Sequence, residues 1–173
     1  SLRGHPRELS AAHQGQGSAQ CEEGMMGNVY KKVFAALDGS DMQLEVAKKA
    51  VVLAAENEAE LCFGHVVDAV PVEATGIDMG ELCSEVQARF EGQIKEALDA
   101  ARADARIPRV TVSVDAGQIT DTLHHKLIEP YGADLVLCGE RGLSQVAYVF
   151  VGSVSTYLIR NLRCDVLVVK QGE

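Results

Sequence analysis

The chain has 173 residues, a length that suits one domain, and 47% of them are hydrophobic, enough for a sizeable core without disulfides or a structural metal. Its formal net charge of -9 argues against a nucleic-acid groove, which needs clustered Lys and Arg to displace counterions. The same charge leaves a nucleotide ligand open, because backbone amides and a helix start can hold a triphosphate whatever the global sign.

Residues 1–24 are rich in Gly, Gln, Ser and Ala and lack a sustained period. Ordered patterning begins after Met25 or Met26, so we expect a disordered leader or a cloning remnant over 1–27 and one domain over 28–173. The five cysteines, Cys21, Cys62, Cys83, Cys138 and Cys164, are odd in number and never form a CxxC pair. They predict buried free thiols in a reducing compartment rather than a disulfide framework or a zinc site. No apolar stretch approaches the ~18 residues of a membrane span. With no signal-peptide pattern at its head, the chain reads as cytoplasmic.

From residue 30, short apolar runs alternate with longer helical patterns. Val33 to Leu37 predicts a first strand, ended by Asp38-Gly39-Ser40. Val46, Ala47, Ala50, Val51 and Ala54 recur at helical spacing. Leu61 to Val67 predicts a second strand, ended by Asp68, and residues 69–80 read as a loop. Leu82, Val86, Phe90, Ile94 and Leu98 predict one surface helix over 81–104. Val110 to Val114 predicts a third strand, ended by Asp115-Ala116-Gly117, and Ile119 to Ile128 a helix stopped before Pro130. Ala133 to Cys138 predicts the fourth strand, Ser153 to Leu162 a helix, and Val166 to Val169 the fifth strand. Strands buried on both faces and separated by helices imply an α/β fold, a parallel sheet with helices on both sides. In such sheets ligands bind beyond the carboxyl ends of the strands, where strand order reverses.

The stretch that carries chemistry is Gly139-Glu140-Arg141-Gly142, nine residues, then Gly152-Ser153-Val154-Ser155. Glycines past a strand let the backbone approach a ligand closely. Gly-Ser-Val-Ser stands at a helix start, whose free amides and positive dipole end suit a phosphate. Ser153 and Ser155 add hydroxyls that can donate to phosphate oxygens or cap the helix. Taken alone, Gly152-Ser153 is a turn glycine and an N-cap; the spaced set behind a buried strand points to an anion or nucleotide site.

Gly-x2-Gly-x9-Gly-Ser resembles the nucleotide motif of the ATP-binding branch of the universal stress protein family. Lys31 to Ser40 resembles that family's opening strand and turn, His65-Val66-Val67-Asp68 the end of its second strand, and Val166 to Val169 its closing strand. Gly117 falls where the family has a glycine after its third strand. The resemblance covers roughly residues 29–170 and implies an open five-stranded parallel sheet in the order 3-2-1-4-5, Rossmann-like. By the same resemblance, Asp38 would bond the ribose or the adenine edge, Val66 would meet adenine through its backbone, and Cys138 would line the adenine side. Gly139 and Gly142 would wrap the ribose and α-phosphate. Gly152, Ser153 and Val154 would take the outer phosphates, with Ser155 nearby. Arg141 could reach the phosphates or stay solvated. The implied cofactor is ATP, with Mg2+ as the companion of a triphosphate.

The chain departs from the family at Asp165, where a proline commonly precedes the last strand, which predicts a looser turn there. It departs again in the apolar segment from Leu143 to Val151.

For catalysis the sequence offers little. No Gly-Lys-Ser/Thr and no His-x-x-x-His pattern occurs. His124 and His125, adjacent on a helix, are expected to point about 100° apart and to form no joint site. A related adenylating enzyme would want a Ser-Gly-Gly-x-Asp-Ser loop after strand one, and Leu37 to Asp41 lacks the paired glycines. The sequence therefore favours a nucleotide-responsive stress or signalling module over a slow ATPase or self-phosphorylating enzyme with Ser153 or Ser155 as acceptor, and over a dimeric stress protein with a vestigial site. The closing strand, as an apolar sheet edge, predicts a homodimer contact.

Overall fold

In this computed structural model the described residues are 28–69, 76, 78–140 and 152–171. Five strands, β1 (Lys32–Ala36), β2 (Glu60–Asp68), β3 (Val110–Gly117), β4 (Leu135–Gly139) and β5 (Asp165–Val169), form one sheet in the order β3-β2-β1-β4-β5. Every pairing is parallel. The sheet is the open Rossmann-like one that the resemblance implies.

The uniform apolarity of β1 follows from its place at the centre. Side chains alternate between faces along a strand, and both faces are covered. Val33 and Ala35 join Leu61, Phe63, Leu135 and Leu137 under helix α1 (Gln43–Glu56), with helices α2 (Met79–Gln93) and α3 (Lys95–Ala103) beside it. Phe34 joins Cys62, Val136 and Cys138 on the other face, under residues 119–131 and helix α5 (Ser153–Asn161). Cys62 and Cys138 are buried free thiols, whereas Cys83 and Cys164 are only half-buried.

Two helical expectations need correction. The single helix expected over 81–104 is two helices that meet at Ile94, where φ is -101° and ψ 13°. Phe90, Ile94, Ala97, Leu98 and Ala101 stay buried across the junction. The apolar spacing thus runs on through the break and hides it. The helix expected to stop before Pro130 instead continues past it. Helix α4 comprises a turn at Ile119–Asp121, a π-helical stretch Thr122–Ile128 and a closing turn Glu129–Tyr131, capped by Gly132 at φ 72°. Proline has no amide to donate and crowds the carbonyl one turn back; the wider π turn ahead of it gives the ring room. Two neighbouring histidines lie within the π stretch. The rings of His124 and His125 stack with centroids 4.0 Å apart and 19° between planes, so the expected divergence of this pair is overturned.

The ends of the strands opposite the loops of interest are tied by side chains. Asp134 accepts from the amides of Lys31 (2.7 Å) and Lys32 (3.0 Å). Asp165 accepts from the Tyr30 hydroxyl at 3.0 Å, so the turn expected to be loose without a proline is fastened by a long-range hydrogen bond instead.

Candidate functional site

All five strands run the same way, so their carboxyl ends lie together. Strand order reverses between β1, which pairs with β2, and β4, which pairs with β5. A cavity of about 250 Å3 opens at this point, lined by the ends of β1, β2 and β4 and by the first turns of α4 and α5. It lies just under the ~300–1,000 Å3 usual for small-ligand sites.

Eight residues singled out in the sequence meet there: Asp38, Val66, Cys138, Gly139, Gly152, Ser153, Val154 and Ser155 all line the cavity. Arg141 and Gly142, like the apolar segment from Leu143 to Val151, lie outside the described residues. Ala36, Leu37, Ile119 and Leu123 also line it and were not anticipated. Ile119 and Leu123 are four apart in α4 and read, from spacing alone, as an ordinary core face.

The first wall is the turn after β1. The Asp38 carboxylate is exposed, and its Oδ1 accepts from the Ser40 amide (2.9 Å) and the Ser40 hydroxyl (2.6 Å). Gly39 takes φ 81°, a left-handed conformation natural to glycine, and donates its amide to Gln43 Oε1 at 3.1 Å. Asp38 therefore builds the turn with one oxygen, and among the described residues its Oδ2 accepts nothing.

The second wall is backbone. Successive residues of a strand offer their amide and carbonyl to alternate neighbours. The Glu60 amide donates to Lys31 (2.9 Å) and the Gly64 carbonyl accepts from Leu37 (2.9 Å), so even-numbered residues of β2 face β1. The Leu61 and Ala69 amides donate the other way, to Arg109 (2.9 Å) and Gly117 (3.1 Å). Val66 is on the β1 side, two residues beyond the last β1 pairing, Ala36 with Gly64. The next acceptor along the ladder, the Leu37 carbonyl, is met by His65 Nδ1 at 2.8 Å, and the His65 ring stacks on Phe90 with centroids 5.1 Å apart. Val66 thus turns its amide and carbonyl into the space that β1 has left.

The third wall is the start of α5. Gly152 is its N-cap and provides no side-chain hydrogen bond. The Gly152 carbonyl accepts from Thr156 (2.9 Å) and its amide donates to Glu140 (2.7 Å), which fixes the first turn. The amides of Ser153, Val154 and Ser155 belong to the first turn of the helix, which has no acceptor within itself for them. The Ser155 hydroxyl is turned inward: Ser155 is buried, and its Oγ donates to the Gly152 carbonyl at 3.0 Å. Its amide remains for a ligand, but its hydroxyl proton is already used. Ser153, by contrast, is exposed.

Gly117 sets how closely α4 approaches. A Cβ there would stand 2.2 Å from Thr122 Oγ1, so a side chain would have to displace the buried Thr122 hydroxyl or the helix that carries it. Cys138 forms part of the floor; burial first, and then the negative Asp38, push its thiol up to about 12. It is a neutral, apolar wall and no nucleophile.

Residues 29–170 match the model of the universal stress protein family. This chain belongs to the universal stress protein family. A universal stress protein of Methanocaldococcus jannaschii is 36% identical over 151 residues, covering 83% of this chain and 84% of that one. Among solved structures, the universal stress protein UspA from Lactobacillus plantarum superposes with a TM-score of 0.67 at 21% identity, over 81% of this chain and 97% of that one, a likeness of fold. A universal stress protein in complex with cAMP superposes with a TM-score of 0.58 at 27% identity, over 82% of this chain and 97% of that one. The fold is therefore shared with these proteins, and one of them is in complex with cAMP. Among the described residues no helix is long and apolar enough to cross a membrane.

Proposed function

We propose that the cavity binds an adenine nucleotide, ATP in the first instance, and that occupancy makes this universal stress protein a nucleotide-responsive signalling module. The observation that carries the reading is the meeting, in one cavity, of donors suited to the two ends of such a ligand. The Val66 amide and carbonyl, between the apolar Ile119, Leu123 and Cys138, offer a purine edge one acceptor and one donor on an otherwise greasy surface. The uncapped amides of Ser153, Val154 and Ser155, at the positive end of α5, suit phosphate oxygens. Asp38 Oδ2 suits a ribose hydroxyl. Arg141 and Gly142 are proposed to complete the phosphate loop.

Among the described residues Asp38 is the one carboxylate lining the cavity, so Mg2+ would arrive on the triphosphate and be held chiefly by its oxygens. With Cys138 held neutral and the Ser155 hydroxyl bonded to backbone, binding rather than turnover is the reading we favour. The cytoplasm, with its nucleotide pool and reducing poise, is the proposed compartment.

A homodimer through β5 is part of the proposal. This strand is an edge of the sheet, and Val166, Leu167 and Val168 are only half-buried there. Light scattering on a gel-filtration column tests it directly.

The test of the ligand is mass spectrometry of the denatured, purified protein, followed by calorimetry with ATP, ADP, AMP and cAMP. A co-purified adenine nucleotide, or saturable binding of one mole per chain, supports the reading. The absence of heat with all four nucleotides sinks it.

A further inference from the structure

Helix α4 carries a second polar cluster. His124 is buried, while His125 and Glu129 are exposed, and these three offer nitrogen and oxygen atoms that all lie within 4.8 Å of one another. Glu129 spans both rings: its Oε2 is 3.0 Å from His125 Nδ1 and its Oε1 is 4.0 Å from His124 Nε2. All three side chains project from the π stretch and the turn that follows it.

The remaining nitrogen of His124 has a hydrogen-bond partner, and that of His125 has a carboxylate nearby. His124 Nδ1 lies 3.0 Å from the Tyr157 hydroxyl on α5. His125 Nε2 lies 3.9 Å from Asp121 Oδ1. A ligating histidine characteristically hands its other ring nitrogen to a carboxylate or hydroxyl that fixes tautomer and orientation. His124 does so through Tyr157, and His124 Nε2 and His125 Nδ1 are left to face the same carboxylate.

We propose that His124 Nε2, His125 Nδ1 and Glu129 form a three-ligand site for a divalent late first-row transition cation, of the zinc or copper type. Imidazole with carboxylate is the donor set such ions take. An ion about 2.0–2.2 Å from each ligand would draw the donors closer than they stand, and the exposed His125 and Glu129 side chains have the freedom to move. Three protein ligands leave one position open on a tetrahedral ion. Tyr157 and Asp121 act as positioning residues. None of the three ligands lines the cavity.

The test uses the full chain with His5→Ala, His13→Ala and Cys21→Ser as parent, so that those side chains cannot compete. Zn2+ titrated by calorimetry should bind at one equivalent. Cu2+ should give an electron paramagnetic resonance spectrum with hyperfine coupling to two imidazole nitrogens. His125→Ala should weaken Zn2+ at least ~10-fold and reduce the coupling to one nitrogen, and Glu129→Gln should weaken Zn2+ by a similar factor. Both residues are exposed, and unchanged melting of the metal-free variants would show that the fold is intact. Tyr157→Phe, which keeps all three ligands, should cost ~10-fold in affinity. Zn2+ affinity equal to the parent's in both His125→Ala and Glu129→Gln, or a copper spectrum dominated by sulfur ligands, would overturn the assignment.

Discussion

Two of the helices that begin beyond the carboxyl ends of strands, α2 and α5, begin differently. At the start of α2, Asp78 caps the helix with its own side chain, Oδ1 accepting from the amides of Gly80 (2.8 Å) and Glu81 (3.1 Å). At the start of α5 the cap is Gly152, which has no side chain to offer. Residue-by-residue stability favours the first solution, since Asp is among the better N-caps. The second leaves amides and a positive dipole end for something outside the chain, and it does so at the cavity. A phosphate arriving at α2 would meet a carboxylate; at α5 it meets bare peptide.

Exchanging the two solutions gives the largest expected effect. Gly152 has φ -57° and ψ 162°, a conformation open to any residue, so Gly152→Asp should fold. Its carboxylate would occupy two of the amides and repel phosphate. Hydrogen bonds to charged groups contribute ~1.5–3 kcal/mol each, so losing two predicts a drop in ATP affinity of roughly 100-fold or more. Calorimetry reads the loss, and an unchanged or slightly raised melting temperature shows it is not unfolding. An affinity within threefold of the parent would mean that α5 does not grip the phosphates. A second break targets the approach of α4. With Cβ forced to within 2.2 Å of Thr122 Oγ1, Gly117→Ala should destabilise the fold by ~1–3 kcal/mol in urea unfolding, and should weaken nucleotide binding by displacing Ile119 and Leu123. The converse change, Asp78→Ala, should cost ~1 kcal/mol and leave nucleotide affinity untouched.

Much of this contrast is visible in the sequence, though not all of it. Val33 to Leu37 and Ala133 to Cys138 announce central strands because burial on both faces removes polar residues from the run. The Gly152 helix start is legible because glycine and serine cluster where apolar spacing resumes. Val66 is different. Its side chain is an ordinary half-buried valine, and its exposed backbone follows from strand register, which depends on where β1 ends and on His65 taking the Leu37 carbonyl. Apart from family resemblance, nothing local in the chain states that. The π stretch is hidden for a related reason: Thr122 to Ile128 has ordinary helical spacing, and its wider register becomes apparent only once Pro130 must be accommodated. Ile119 and Leu123 carry no sequence mark of the cavity, because a cavity wall and a core face have the same apolar pattern.

A finer test separates the two serines of the bare helix start. Ser155 donates its hydroxyl to the Gly152 carbonyl, so Ser155→Ala should change ATP affinity by less than about threefold while costing ~1 kcal/mol of stability. A tenfold loss of affinity without loss of stability would instead give the hydroxyl to the ligand.

The smallest effect lies at the opposite ends of the strands, where an ion pair closes a turn. In the turn before β3, Arg106 donates to Asp104 from Nε (3.0 Å), Nη2 (2.7 Å) and its amide (3.0 Å). These bonds hold the Asp104 carboxyl down to about 2, against 3.8 for a free aspartate. A carboxylate depressed by folding adds stability that is present above its unfolded value and vanishes as pH falls through the folded one. The contribution should therefore be full above about pH 4 and decline towards pH 2. Because Arg106 is exposed and the pair is screened by salt, its melting-temperature difference from Asp104→Asn should be small, and smaller still at high ionic strength. A difference that stayed constant from pH 5 to pH 2 would show that the turn is held by its backbone geometry and owes nothing to the charge. Nucleotide affinity should be the same in both proteins, since the two ends of the sheet share no charged group.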